Sequence, residues 1–405
     1  MKWMPVFVVA LSLLFTACQP DEDFSFDDDD VVDINNPNGG NPNGGNPNNP
    51  GEPGVDQDEL EELGRLLFWD PILSGELDVS CATCHHPDFG YADGRALPIG
   101  VGGQGLGPAR RDVVNDDIGL VGRNSPTVLN TAFNGMRDNG TINPGFAPMF
   151  WDNRANGLEE QALGPLHSFE EMRGHAFSEE VALDSIIARL RTNTEYQQLF
   201  ALAYGEANSI TSDNIATAIA AFERTIVATN SPFDQFQAGN ENAMTQQQIR
   251  GMDRFRQIGC DDCHSGPMFS DWELHVLGVP DSPLLPNTDA GANGTYAFRT
   301  PTLRNLSETG PYFHNGTAMD LQEVMIFYRN ARGNGGGPGG PGGGLDVNPN
   351  VAPNDLAQDL RNLGNFNNND IQDIIAFIEA LNDPDFDRRI PNRVPSGLNP
   401  GGNID

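Results

Sequence analysis

Cys81-Ala-Thr-Cys84-His85 and Cys260-Asp-Asp-Cys263-His264 are two copies of one pattern, roughly 180 residues apart in a chain of 405. A proline, a phenylalanine and an aspartate follow each: Pro87, Phe89 and Asp93, then Pro267, Phe269 and Asp271. Two thiols separated by two residues, with histidine next, form the attachment signature of c-type haem. The thiols add to the haem vinyl groups and the histidine reaches the iron from one face. A structural zinc site is the competing reading. It needs two cysteine pairs close enough to share one ion, commonly a dozen or two residues apart, and the separation here is far longer. The pattern therefore predicts two covalently bound haems, on Cys81, Cys84 and His85 and on Cys260, Cys263 and His264. His86 reads as a surface residue or a neighbour of the haem propionates.

Three further stretches carry a resemblance. "RNSPTVLN" (123–130), "FWDNRANGLEEQALGPLHSFEEM" (150–172) and "FRTPTLRNLSETGPYFHNG" (298–316) resemble the bacterial di-haem cytochrome c peroxidase family, which includes MauG. With both haem motifs in the family's order, the likeness runs from about Asp56 to Leu381. It implies that the His85 haem is the peroxidatic one and the His264 haem the electron-transferring one. It implies that Glu171 is the distal acid–base group, moving a proton between the oxygens of hydrogen peroxide. Gln161 and Pro165 match residues shaping the same pocket, and Trp151 matches the tryptophan between the haems. Asn124, with the carbonyls of Thr309 and Pro311, matches a calcium site whose oxygen ligands suit that hard cation.

Two departures bear on the subtype. Peroxidases of this family place a distal histidine after the first haem motif, yet no histidine occurs between Pro87 and Leu166. The first haem is thus expected to keep an open site without reductive activation. Family peroxidases also place a methionine ligand fourteen residues after the histidine matched by His314; here that position is Tyr328, as in MauG-like members. Met325 lies one helical turn from Tyr328, so either side chain is a candidate ligand of the second haem, with Tyr328 favoured by the count.

The elements that hold these residues read as helices. Leu60, Leu63 and Leu67 share a face before the first motif. Thr245 is expected to cap a helix carrying Ile249, Met252 and Phe255 before the second. Asp213 is expected to cap a helix with Ile215, Ile219, Phe222 and Ile226, and Asp370 precedes Ile371, Ile374, Ile375, Ile378 and Leu381. Alternating strand patterns are scarce. The expected fold is mainly α: two cytochrome c-like haem domains with long loops, 56–235 and 236–395, meeting at a seam near Thr229–Gln246, with a tail at 396–405. The stretch from Gly333 to Gly344 reads as a surface loop.

The N-terminus reads as an export signal (1–18): Lys2, an apolar run too short to span a bilayer, and "LFTAC", which looks like a lipobox with Cys18 lipidated. An ordinary cleaved signal peptide is the alternative. Residues 19–55, acidic and then Asn/Pro/Gly-rich, form a disordered tether. About 35 such residues reach a root-mean-square span of roughly 30–35 Å. Cys18 and the two motif pairs account for all five cysteines. A net charge of −34 excludes a nucleic-acid binder, whose footprint is basic, and favours a positively charged partner.

Together these features predict an enzyme of the periplasm or cell envelope, anchored to the outer membrane only through lipid. It is expected to reduce hydrogen peroxide at the first haem with electrons delivered through the second by a small cytochrome c or cupredoxin. The alternative is MauG-like oxidation of tryptophan or other side chains in a partner protein. A plain di-haem electron carrier is the non-enzymatic reading, against which Glu171 and an open iron argue.

Overall fold

The computed structural model describes residues 55–114, 117–142, 146–332 and 344–405. The expected export signal with Cys18, all but the end of the expected tether and nearly all of the glycine-rich stretch lie outside the described residues. The first half carries α1 (Gln57–Trp69), α2 (Cys81–Cys84), α3 (Leu158–His167), α4 (Ala182–Leu190), α5 (Thr194–Tyr204) and α6 (Ser212–Thr225). The second carries α7 (Pro232–Gln237), α8 (Gln246–Ile258), α9 (Leu321–Ala331), α10 (Gln358–Asn362) and α11 (Asn368–Glu379). Strands are short antiparallel pairs: β1 (Gly103–Gln104) with β2 (Arg111–Asp112), β3 (Pro148–Met149) with β4 (Ala155–Asn156), and β5 (Leu274–Val276) with β6 (Ala297–Arg299). The molecule is helix-rich with long loops, and no described helix is long and apolar enough to cross a membrane.

One helix crossing is built twice. α1 packs on α6, and a Cβ on Gly64 would lie 1.8 Å from Ala218 O and 2.9 Å from Phe222 Cβ. α8 packs on α11, and a Cβ on Gly251 would lie 1.9 Å from Asp373 O and 2.9 Å from Phe377 Cβ. In both, glycine lets two backbones touch, and a phenylalanine four residues beyond the contact fills the space beside it. The apolar faces then close two cores. The first holds Leu60, Leu63, Leu67, Ile215, Ile219 and Phe222; the second holds Met252, Phe255, Ile371, Ile374 and Phe377. Burying each such large side chain stabilises the fold by roughly 1.5–3 kcal/mol.

The helix starts follow local capping chemistry. Thr245 caps α8 as expected, in a reciprocal box with Gln248. Asp213 does not cap α6: Thr211 does, accepting from Asn214 N, and Asp213 becomes a first-turn acid. Asp370 sits in the first turn of α11, in a reciprocal box with the cap, Asn367. Ile226 and Leu381 fall just past the ends of their helices yet stay buried.

Packing also moves the expected boundaries. Phe233, assigned by sequence to the first half, belongs to the second core. The chain after Leu381 returns to the first: Phe386 and Val394 join its core. The tail at 396–405 is pinned there. Gly401 N donates to Trp69 O (2.8 Å), Thr83 Oγ1 donates to Gly401 O (2.8 Å), and Val79 pairs with Gly402. Thr83 lies inside the first Cys-x-x-Cys, so the chain's last residues brace that motif.

Candidate active site

Both motif histidines are locked in the same way. His85 N–H donates to Cys81 O at 2.9 Å, and its Nδ1 lies 3.1 Å from Tyr91 O. His264 N–H donates to Cys260 O at 3.0 Å, and its Nδ1 lies 3.1 Å from Phe269 O. A carbonyl can only accept, so each Nδ1 carries the proton and each Nε2 keeps its lone pair for a metal. Burial lowers both imidazole pKa values and keeps the rings neutral. The four cysteines are unpaired. Burial pushes the Cys84 and Cys260 thiols up to about 12 and the Cys81 thiol higher still.

Each motif opens onto its own cavity. The larger, about 220 Å³, is lined by Cys260, Cys263, His264, Met325 and Tyr328 among others. The smaller, about 140 Å³, is lined by Cys81, Cys84, His85, Gln161, Pro165 and Glu171 among others. Trp151, Asn124 and Arg299 line both, so they form a shared wall. Trp151 is held there by its Nε1, which donates to Asn124 O at 2.9 Å. Asn124 is itself fixed by His314 O and Arg95 O, both at 2.8 Å. Arg299 donates from Nε to Phe150 O at 2.9 Å and forms no salt bridge among the described residues. Desolvation lowers its pKa to about 10, with Asp152 opposing. A buried cation without an ion-pair partner between two largely apolar cavities suits anionic groups entering them. Paired thiols, a histidine with a free Nε2 and that guanidinium together fit a haem with its propionates in each cavity.

Glu171 sits on a π turn, Phe169–Arg173, that follows α3; such turns are frequent at functional sites. The turn is fixed by Arg173 N and Gly174 N, which donate to Ser168 O (2.9 Å) and Phe169 O (3.1 Å). Burial raises the Glu171 carboxyl, opposed by Arg154 and reinforced by Glu170. Gln161 and Pro165, one turn apart on α3, line the same cavity. Besides His85 no histidine lines it, but the thioethers of Met149 and Met172 do. Met149 Sδ accepts from Asn134 Nδ2 at 3.2 Å.

In the larger cavity both candidate ligands are present. Met325 is buried on α9, and Tyr328 lies one turn on, its hydroxyl donating to no described residue. Burial raises the tyrosine pKa, and the nearby Cys263 and Cys260 thiols raise it further. The structure brings both residues to the cavity without choosing between them. Asn124, Thr309 and Pro311 also line this cavity together. Among described residues the one cluster of three metal-ligating acidic, thiol or imidazole side chains is Cys263, His275 and Asp359, and its thiol belongs to the haem motif.

Sequence reasoning misplaced one residue and missed others. His86 is 2 % exposed rather than at the surface: its Nδ1 accepts from Asp88 N, and its ring meets Trp69 edge-on at 5.5 Å. Arg154, Glu223 and Arg299 were not singled out, although all line the smaller cavity. Arg154 stands inside a stretch already recognised. Glu223 shares a helix face with Ile219 and Phe222, and an acid on an apolar face was the available signal.

A family model described as "Di-haem cytochrome c peroxidase" matches residues 58–242. The methylamine utilization protein MauG of Methylophilus methylotrophus is 32 % identical over 80 % of this chain and 82 % of its own. The cytochrome c551 peroxidase of Pseudomonas aeruginosa is 35 % identical over 70 % of this chain and 74 % of its own. A solved structure of a MauG-like protein associated with microbial copper homeostasis superposes with a TM-score of 0.63 at 25 % identity, covering 80 % of this chain and 90 % of that one.

Proposed function

The chain belongs to the di-haem cytochrome c peroxidase family, and from that premise we propose that it reduces hydrogen peroxide in the smaller cavity. Membership makes it an oxidoreductase of the di-haem peroxidase type, with two c-type haems. The finer reading is that electrons arrive through the His264 haem from a small redox protein. The observation that carries it is the joint placement of His85, Gln161 and Glu171 around one cavity whose far wall, Trp151, is also a wall of the other.

When bound, the first haem supplies an iron that takes up peroxide and the redox equivalents that break its O–O bond. The chain's own groups then have defined tasks. Nε2 of His85 would hold the iron, its ring oriented by Tyr91 O. Glu171, facing the cavity, would in its carboxylate form accept the peroxide proton and return it to the departing oxygen. Gln161 offers an amide to the same space, and Pro165 closes its side. Trp151 offers an aromatic path across the shared wall. The strongly negative surface favours a basic donor protein. The oxygens of Asn124, Thr309 and Pro311 would hold the calcium ion.

Tyr328 in the larger cavity supports a second reading, MauG-like oxidation of a partner protein. A phenolate oxygen on iron would favour its oxidised state, so the second haem would share oxidising equivalents rather than only pass electrons. Rapid mixing of the fully oxidised protein with peroxide, with and without a reduced small cytochrome c, separates the readings. The peroxidase reading expects reaction without prior reduction and fast oxidation of the added donor. Inertness until half-reduction would refute the open site, and reaction that leaves every added donor untouched would favour the MauG-like reading. Location in the cell envelope with a lipid anchor at Cys18 remains part of the proposal and is read by fractionation and mass.

A further inference from the structure

We propose that Glu223 is a second acid of the peroxide cavity, held as a neutral carboxylic acid that delivers one of the protons the reaction consumes. The inference rests on the peroxidase reading and deepens it. Glu223 stands on α6, 4 % exposed, and lines the smaller cavity with His85, Gln161 and Glu171. Its Oε2 is buried and has no hydrogen-bond partner among the described residues. The neighbouring cation is engaged elsewhere: Arg224 binds Glu159 of α3 through two bonds, at 2.7 and 2.9 Å. Arg65 of α1 lies over the Phe222 ring, 5.0 Å from its centroid. The other titratable groups lining the cavity are the thiols of Cys81 and Cys84, His85 and Glu171. Its cations are Arg123 and Arg154, both paired with Asp152, and Arg299, which donates to Phe150 O. Burial with no cation bonded to the carboxyl favours its protonated form. Burial raises its pKa to about 8, against Arg224 and with Glu159.

The stoichiometry calls for such a group. Reduction of peroxide is H2O2 + 2 e− + 2 H+ → 2 H2O: the O–O bond breaks, the donor protein is oxidised, and two protons are taken up. Glu171 moves a proton that peroxide already carries, so its shuttling adds none to the balance. A second group that holds a proton at neutral pH and faces the same cavity supplies what Glu171 cannot. Glu223 then recovers its proton from solvent after each turnover.

The test is infrared difference spectroscopy on the haem-loaded wild-type protein, with and without 13C-glutamate to mark glutamate bands and with Glu223→Gln to assign them. A protonated-carboxyl band at neutral pH that disappears on peroxide addition is expected. Absence of any such 13C-sensitive band overturns the proposal, without needing a Glu223 variant to fold. Glu223→Gln, with both haems attached, should slow the peroxide step by about 10²-fold and remove the fall in rate on the alkaline side. A Glu223→Gln protein with native rate and pH profile overturns the inference alone, leaving the peroxidase reading intact. A wild-type protein inert to peroxide overturns both.

Discussion

Arg304 and Asp234 form an ion pair whose side chains are 1 % and 6 % exposed. The two terminal guanidinium nitrogens of Arg304 each donate to the carboxylate at 2.8 Å. Arg304 Nε also donates to Pro267 O at 2.8 Å, so the pair links α7 to the loop that locks His264. Asp234 further accepts from Ser231 N and Oγ, at 2.8 and 2.6 Å, completing the cap of α7. Asp234→Ala strands a guanidinium in the core, which costs about 3–5 kcal/mol. Loss of the cap adds roughly 1 kcal/mol. At about 2–4 °C per kcal/mol for a unit of this size, the melting temperature should fall by roughly 10–20 °C. Scanning calorimetry of the haem-loaded protein measures this, with Arg393→Ala as control. Arg393 pairs with Glu195 at the surface, with side chains 70 % and 38 % exposed, so its loss should leave the melting temperature nearly unchanged. The double variant Asp234→Ala/Arg304→Met should recover most of the loss, because no charge is then left unpaired. A single variant within about 1 kcal/mol of wild type, or a double variant no better than the single, would refute the reasoning.

Glu171→Gln should slow reaction with peroxide by about 10²–10⁴-fold, with both haems still attached by their absorbance. Because burial raises this carboxyl and the base must be ionised, the wild-type rate should drop at acid pH with an inflection above the ordinary glutamate value. Tyr328→Phe should alter the visible and electron-paramagnetic signature of one haem only. Met325→Leu should leave both signatures native at a packing cost below about 1.5 kcal/mol; the reverse pattern would identify a methionine-ligated haem. Burial raises the Asp387 carboxyl, but hydrogen bonds from Arg389 and Arg65 outweigh it and bring the pKa down to about 2. The stability it contributes is therefore complete above the unfolded value of about 3.9 and lost as pH falls through about 2. Melting temperature against pH should be steeper across that window in wild type than in Asp387→Asn, and equal slopes would show that the pairs stabilise nothing.

Local chemistry was legible along the chain. The two haem motifs needed only five consecutive residues each, and the carbonyls that lock His85 and His264 come from Tyr91 and Phe269, six and five residues away. Thr245 could be read as the α8 cap because its partner Gln248 is three residues on. Where two side chains competed for one cap, as Thr211 and Asp213 did, pattern alone chose wrongly: the outcome depends on which residue turns out of the helix. What joins distant segments was decided by packing. No periodicity announces that residues beyond Leu381 return to brace Thr83, or that Trp151, Asn124 and Arg299 become one wall between two cavities. His86 and Glu223 make the same point from the side of burial. Hydrophobic closure over Trp69 and over α6 took both out of water, and the cost of an unpaired charge there turns ordinary polar residues into a neutral core imidazole and an acid facing a cavity. Residue type and short spacing thus set which groups could act, while long-range burial decided which of them share a space and in which protonation state.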